Sequence, residues 1–434
     1  MGPGLDEKKQ APRSNLCSPG QSEVWTSDFA QHSYRQIEYS IFFVRLPSGV
    51  LSFRRPKPRS ARDVRMICSI LETTRNHLPL VIFCGLVLLA AGCGGNGSAP
   101  KPVDAACADV GSVINDLASD PRNVVYGFYT DFEPMSYADT QDRSDPAFHR
   151  PLGYEPSLIE AVDELSGEWL QFRPIGIGEE FSGIWLLSAA DPHNPFDMVG
   201  GGITVLPDRR YAQGDREREK PLITFGDGHV KIFQSLLVRS ESSINSHDDL
   251  VSSHTVGLLK GTTGESRLLQ LTEIADARGY LRPGTIITLE DDTTLTTEEQ
   301  SHRITASEST TTPGIETRKH LVGPGDDIPE IQYFSSENEQ IEAVTDGAVD
   351  AVARGEVGNQ HAADNSNGEL RVTAVDRDNS EDIAFSYPHT PEGDSLRGIM
   401  DKLINCLTDG GSMGFAQWHQ NPQIFLERAE RNAP

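Results

Sequence analysis

Basic residues are scarce in this chain: its 434 residues hold 38 Lys and Arg against 64 Asp and Glu, a formal charge of −26. A surface of that sign repels phosphate backbones and anionic lipid headgroups. With no basic stripe, no finger spacing and no RNP-like run, nucleic acid is excluded as a partner class. Paired cysteines are missing as well. Cys17, Cys68, Cys84, Cys93, Cys107 and Cys406 are scattered singly and match no CxxC metal pattern. No nucleophile–base pair and no metal-ligand cluster stands out, so the chain reads as a non-enzyme with no metal and no cofactor. Internal repeats are absent. Long apolar runs are nearly so: the longest, at 78–90, spans 13 residues, too short to cross a bilayer comfortably but the length of a signal-peptide core.

What is present begins with that run. Arg75 and His77 precede it, and Leu89-Ala90-Ala91-Gly92-Cys93 at its end resembles a bacterial lipobox, the alternative being an ordinary signal peptide with an incidental cysteine. In such signals the cysteine is diacylated and becomes the new N-terminus, so Cys93 is the expected lipidation site. The expected location is the bacterial cell envelope, on its periplasmic or extracellular face, with the protein anchored to the membrane by lipid. Met66 opens a signal of conventional length over 66–92. Residues 1–65 mix Arg, Pro, Ser and aromatics without a sustained period. They are either an over-long start to the gene or a genuine, disordered extension. They are also mildly basic, with about 11 Lys and Arg against about 6 acids, so the part after Cys93 carries more than the whole negative charge. Either export solubility or a salty habitat accounts for that acidity.

Residues 93–121 read as a tether, GGNGSAPKP, and a lead-in helix over 106–118. Beyond it, strands at 123–129, 169–174, 196–202, 233–238, 256–259, 331–334, 350–353 and 370–375 alternate with helices at 157–165, 181–189, 336–344 and 396–407, closing on a Trp418-containing tail. That alternation predicts an α/β fold with mainly parallel sheets. Residues 282–327, rich in Thr, Ser, Glu and Asp, form either a β-hairpin excursion or a mobile insertion. Cys107 and Cys406 either pair or stay as separate buried thiols.

Several segments, in order, carry a specific resemblance. Gly153-Tyr-Glu-Pro-Ser-Leu-Ile-Glu-Ala-Val is a Gly-aromatic-acid signature opening a helix, with Ser157 as a cap where a second acid is usual. Phe132-Glu-Pro-Met, Glu180-Phe-Ser-Gly-Ile, Asp197-Met-Val-Gly-Gly-Gly-Ile-Thr-Val-Leu-Pro-Asp-Arg and Gly261-Thr-Thr-Gly follow at matching places. From about residue 124 onward the chain resembles the family 3 extracellular solute-binding proteins, the receptors of polar amino-acid ABC importers, glutamine-binding proteins among them. The resemblance implies a periplasmic-binding-protein-like fold of type II: two α/β lobes joined by two hinge strands and closing around ligand. The first lobe would take 122–232 and 386–434, and the second 233–385 with the polar insertion.

By the same resemblance, Arg209 offers a planar fork to a ligand carboxylate. Gly202 offers a bare N–H, Thr204 a hydroxyl, and Thr262, Thr263 and Gly264 a helix-start cradle. Phe132 and Phe181 would sandwich the ligand's apolar stem, and Trp185 reads as core. One departure matters. Gly355 stands where an acid usually meets the α-ammonium, so either Glu356 replaces it through a shifted turn or Arg354 meets a second acidic group. The resemblance thus implies a monomeric binding lipoprotein that captures an amino acid or related small carboxylate for an ABC permease. A sensor subunit for a signalling partner is the first alternative. A cyclohexadienyl-dehydratase-like enzyme, with Glu356 as its acid, is the second.

Overall fold

The computed structural model describes residues 104–433, apart from 168, 179, 191–194 and 213–219. Cys93 and the expectations for residues 1–103 lie outside the described residues, and every element below belongs to the unit Asn96–Pro434.

A short turn at Ala105–Cys107 leads into α1 (Val110–Ser119), which buries Val110, Val113, Ile114 and Leu117 at helical spacing. The chain then forms β1 (Arg122–Tyr129), a small antiparallel pair of β2 (Asp131–Phe132) and β3 (Ser136–Tyr137), then α2 (Tyr154–Ser166), β4 (Leu170–Ile177), β5 (Met198–Gly200) and β6 (Ile223–Phe225). It crosses through β7 (Val230–Arg239) into β8 (Thr255–Leu259), α3 (Thr263–Leu271), β9 (Ile286–Leu289), β10 (Thr294–Thr296), β11 (Arg318–Val322), β12 (Glu330–Phe334), α4 (Glu337–Asp346), β13 (Ala351–Gly355), α5 (Glu356–Asn365) and β14 (Leu370–Thr373). It returns through β15 (Ser380–Ile383) and β16 (Ser386–Pro388) to α6 (Pro391–Leu407), α7 (Phe415–Gln420) and α8 (Ile424–Asn432).

Two sheets result. The first runs β4-β1-β5-β16-β6, with β1 parallel to β4 and β5, and β16 antiparallel to β5 and β6. The second runs β10-β9-β11-β12-β8-β13-β7-β14, with β8 parallel to β12 and β13. β15 lies antiparallel on the first half of β7, from Ile383 opposite Val230 to Ser380 opposite Phe233. The outbound and returning chains therefore cross between the sheets side by side. This is a mixed α/β fold of two lobes joined by two strands, in the order expected for type II: the returning strand sits inside the first sheet. Each lobe has its own apolar core. The first is centred on Tyr126, Phe128, Tyr154, Trp185 and Phe385, and the second on Leu236, Val256, Leu258, Leu269 and Ile331. Cys107 and Cys406 form a disulfide that ties the lead-in turn to α6.

Local chemistry moves several boundaries. α2 begins at Tyr154, because Gly153 takes φ 112° as its cap, a conformation suited to glycine. Ser157 lies inside the first turn and donates its hydroxyl to the Gly153 carbonyl at 2.8 Å, so it does not cap. The segment expected as a helix over 181–189 is a 3₁₀ turn, Ile184–Ser188, entered through a left-handed Gly183. α6 starts at Pro391, with Thr390 accepting from the Gly393 N–H. The polar insertion is the hairpin alternative: β9 pairs with β10 and β11, and β11 pairs with β12, extending the second sheet.

Candidate functional site in the cleft

The first lobe's share of the site hangs from one buried acid. Glu155, fully buried on α2, accepts the Gly201 N–H at 2.6 Å and the Gly202 N–H at 3.2 Å, and His229 packs 3.3 Å from the same carboxylate. This fixes the loop after β5. Gly202 has φ 73°, and a Cβ there would sit 2.4 Å from the Phe132 ring, so both conformation and space demand glycine. Two residues on, Thr204 donates to Glu381 Oε2 at 2.8 Å. Gln234 Nε2 donates to Glu381 Oε1 and to Thr263 Oγ1, each at 3.0 Å. The two crossing strands thereby knit Thr204 of one lobe to Thr263 of the other.

In the second lobe Thr262 caps α3 by accepting the Glu265 N–H at 3.0 Å. Glu265 is buried against Arg318, which donates to it at 2.8 and 2.7 Å, against Tyr333 Oη at 2.7 Å, and against the Gly261 N–H at 2.7 Å. Arg318 belongs to the polar insertion, so the insertion braces the Gly261–Thr263 loop. At the end of β13, Arg354 pairs with Glu337 and lies 6.0 Å from the Phe132 ring centre. Asp131 of the first lobe accepts the Glu337 N–H and the Asn338 side-chain amide, both at 2.8 Å, and so supports the start of α4 in the second lobe. Burial pushes the Asp131 carboxyl up, against those hydrogen bonds and Arg354. Burial likewise pushes Glu337 up to about 7, with Arg354 opposing and Asp131 adding.

These elements meet at a cavity of about 40 Å³, room for a few waters. Of the residues singled out from sequence, Phe132, Phe181, Gly202, Thr204, Thr262, Thr263, Gly264 and Arg354 line it, together with Gly355. Besides Glu337 Oε2, which is ion-paired to Arg354, five buried polar atoms on its walls have no hydrogen-bond partner among the described residues: Gln234 Oε1, Gln340 Oε1 and Nε2, and Arg354 Nε and Nη1. Buried polar groups without partners call for an explanation, an ordered water or a bound polar molecule among them.

Arg209 and Glu356 do not line this cavity. Arg209 is fully buried and all three of its nitrogens donate to main chain: Nε to Ala306 O at 2.8 Å, Nη1 to Thr204 O at 3.2 Å and Nη2 to Gly261 O at 3.1 Å. Its guanidinium lies 4.0 Å from the Trp185 ring centre. Burial pulls its pKa down to about 10, with Glu308 and Glu381 opposing, so it stays charged at neutral pH. Glu356 opens α5 outside the cavity and is held by Arg377 through two bonds, 2.8 and 2.5 Å. Arg209 instead receives a strap from the insertion. Ala306 accepts from it, Ser309 donates to Asp208 O at 2.6 Å, and Glu308 pairs with Ser182.

Sequence reasoning missed Asp131, Gln234, Glu337, Gln340 and Glu381. A signal existed for two of them: Glu337 and Gln340 stand three apart on one face of α4, polar where the buried stripe continues as Ala343 and Val344. Among the described residues no group of His, Cys, Asp and Glu is placed to hold a metal ion, and no helix is long and apolar enough to cross a membrane.

No family model matches the chain, and no curated protein matches it. Solved structures do. The substrate-binding protein of an amino acid ABC transporter is similar at 15% identity, over 70% of this chain and 100% of that one, with a TM-score of 0.42. The arginine-, lysine-, histidine-binding protein ArtJ from Geobacillus stearothermophilus is similar at 19% identity, over 67% and 92%, with a TM-score of 0.42. An ancestral arginine-binding protein bound to glutamine is similar at 15%, over 71% and 96%, with the same score. Likeness at this level carries neither ligand nor role across to this chain.

Proposed function

We propose that this protein is an extracytoplasmic solute-binding lipoprotein that captures an amino acid or related small carboxylate between its lobes and presents it to an ABC permease. The observation that carries the reading is the cleft cavity, where residues of both lobes converge and five buried polar atoms lack partners. Phe132 and Phe181 flank the solute, the Thr262–Gly264 turn offers backbone donors and Arg354 a side-chain one, while Gly202 and Thr204, whose own donors are held by Glu155 and Glu381, shape the wall. At about 40 Å³ the cavity is too small to admit such a solute as it stands, so entry requires the lobes to part along the β7 and β15 strands. Closure then hides the solute and creates the surface a permease reads.

A thermal-shift screen of the protein against amino acids and small carboxylates tests this. A ligand at 100 times its Kd adds about 2.7 kcal/mol of stability. Phe132→Ala should abolish that shift, and a screen in which nothing shifts the protein overturns the reading. Anchoring is tested separately: mass spectrometry of the native N-terminus should find a diacylated Cys93.

A further inference from the structure

We infer that Gln234 and Gln340 select the ligand, and that the solute is a small carboxylate bearing a neutral hydroxyl or carboxamide group rather than a free α-amino acid. This inference rests on the receptor reading above and narrows it.

The buried polar groups around the cavity set what it can hold. An α-ammonium taken out of water needs a carboxylate, because a desolvated charge without a counter-charge is very costly. Every carboxylate near the cavity already has a partner within the protein. Both Glu381 oxygens accept, from Thr204 and from Gln234. Glu337 is held by Arg354, Asp131 by the start of α4, and Glu356 by Arg377. An ammonium would have to share one of these carboxylates with the donors already on it.

The groups left over are of two other kinds. Arg354 keeps two unpartnered N–H groups, at Nε and Nη1, and these call for an anion. Gln340, fully buried, keeps both ends of its amide, and Gln234 keeps its carbonyl oxygen. The Gln234 amide cannot be turned round, because its Nε2 is the donor that Glu381 requires. Two acceptors and one donor, all neutral, match a hydroxyl or a primary carboxamide, which gives and takes hydrogen bonds without bringing charge. A ligand of that kind satisfies the orphans and breaks nothing.

Two matched pairs of probes, titrated calorimetrically into the full-length protein, decide the matter: L-malate against L-aspartate, and glutaramate against L-glutamine. The expected result is that, in at least one pair, the member without the ammonium binds about tenfold or more tightly. Gln340→Leu should weaken that probe by about tenfold or more, and leave the unfolding midpoint of the free protein unchanged or higher, because the amide it removes has no partner to lose. A purely structural glutamine gives the opposite, a lower midpoint and intact affinity, and that result overturns the inference. Tighter or equal binding of the amino acids overturns it while leaving the receptor reading in place. So does binding of some other amino acid when neither pair binds. If no amino acid or carboxylate binds at all, the receptor reading falls and the inference falls with it.

Discussion

At the scale of the residue, the cleft is governed by buried charge. Glu337 has its carboxyl raised from 4.5 to about 7 by burial, so the folded protein holds this proton more tightly than the unfolded chain does. A raised acid lends stability below its unfolded value and loses it as pH climbs through its folded value. The protein should therefore lose stability between about pH 4.5 and 7, by up to about 3 kcal/mol from this group. Glu337→Gln should flatten the profile in that window, read as chemical denaturation midpoints at each pH. An unchanged slope in the variant would show that Glu337 does not titrate there. Sequence legibility at this scale was uneven. Glycines and short hydroxyl residues at loop ends were readable because conformation and capping restrict what can stand there. Gln234 was not, since a buried unsatisfied amide looks in sequence like any surface polar residue, and Gln340 was marked only by its place on the buried face of α4. Arg209 was legible only through the family resemblance, as a fork for a ligand carboxylate; its partners are carbonyls of Gly261 and Ala306, about fifty and a hundred residues along the chain, which no local pattern announces.

At the scale of the element, the insertion is the unexpected working part. Its strands lengthen the second sheet, Arg318 steadies the turn that opens α3, and its Thr305–Thr311 stretch reaches the first lobe at Arg209, Asp208 and Ser182. Arg209→Ala should cost about 3 kcal/mol or more, through three carbonyls left without their charged donor. The loss should be regional. Amide exchange should speed in the strap and in the Gly261 loop, while β1 and β4 keep their protection. Uniform acceleration across both sheets would instead make Arg209 part of the general core. The regular elements were legible because strand and helix periods are local, and β1, α2 and α4 fall close to their expected spans. The strap was not, because a Thr-rich segment without period says nothing about which surface it will meet. The 3₁₀ turn after Gly183 was misread as a helix because five residues of apolar spacing fit either form.

At the scale of the whole molecule, the disulfide between Cys107 and Cys406 closes a loop of 299 residues. Cross-links over long loops chiefly restrict the unfolded chain. The double variant Cys107→Ser, Cys406→Ser should lower unfolding stability by about 2–4 kcal/mol without altering cleft affinity. A change in affinity would mean that the bond also sets the geometry of the site. The bond has a mechanical consequence too. α6 buries Met400, Leu403 and Leu407 in the same core as Tyr126 and Tyr154, whereas the second lobe's core shares none of these residues. Tension arriving along the chain ahead of Cys107 therefore passes through sulfur into α6 and is borne by the first lobe alone. The second lobe's core lies off that load path, so a pull from that end loads the first lobe and leaves the interior of the second unstressed.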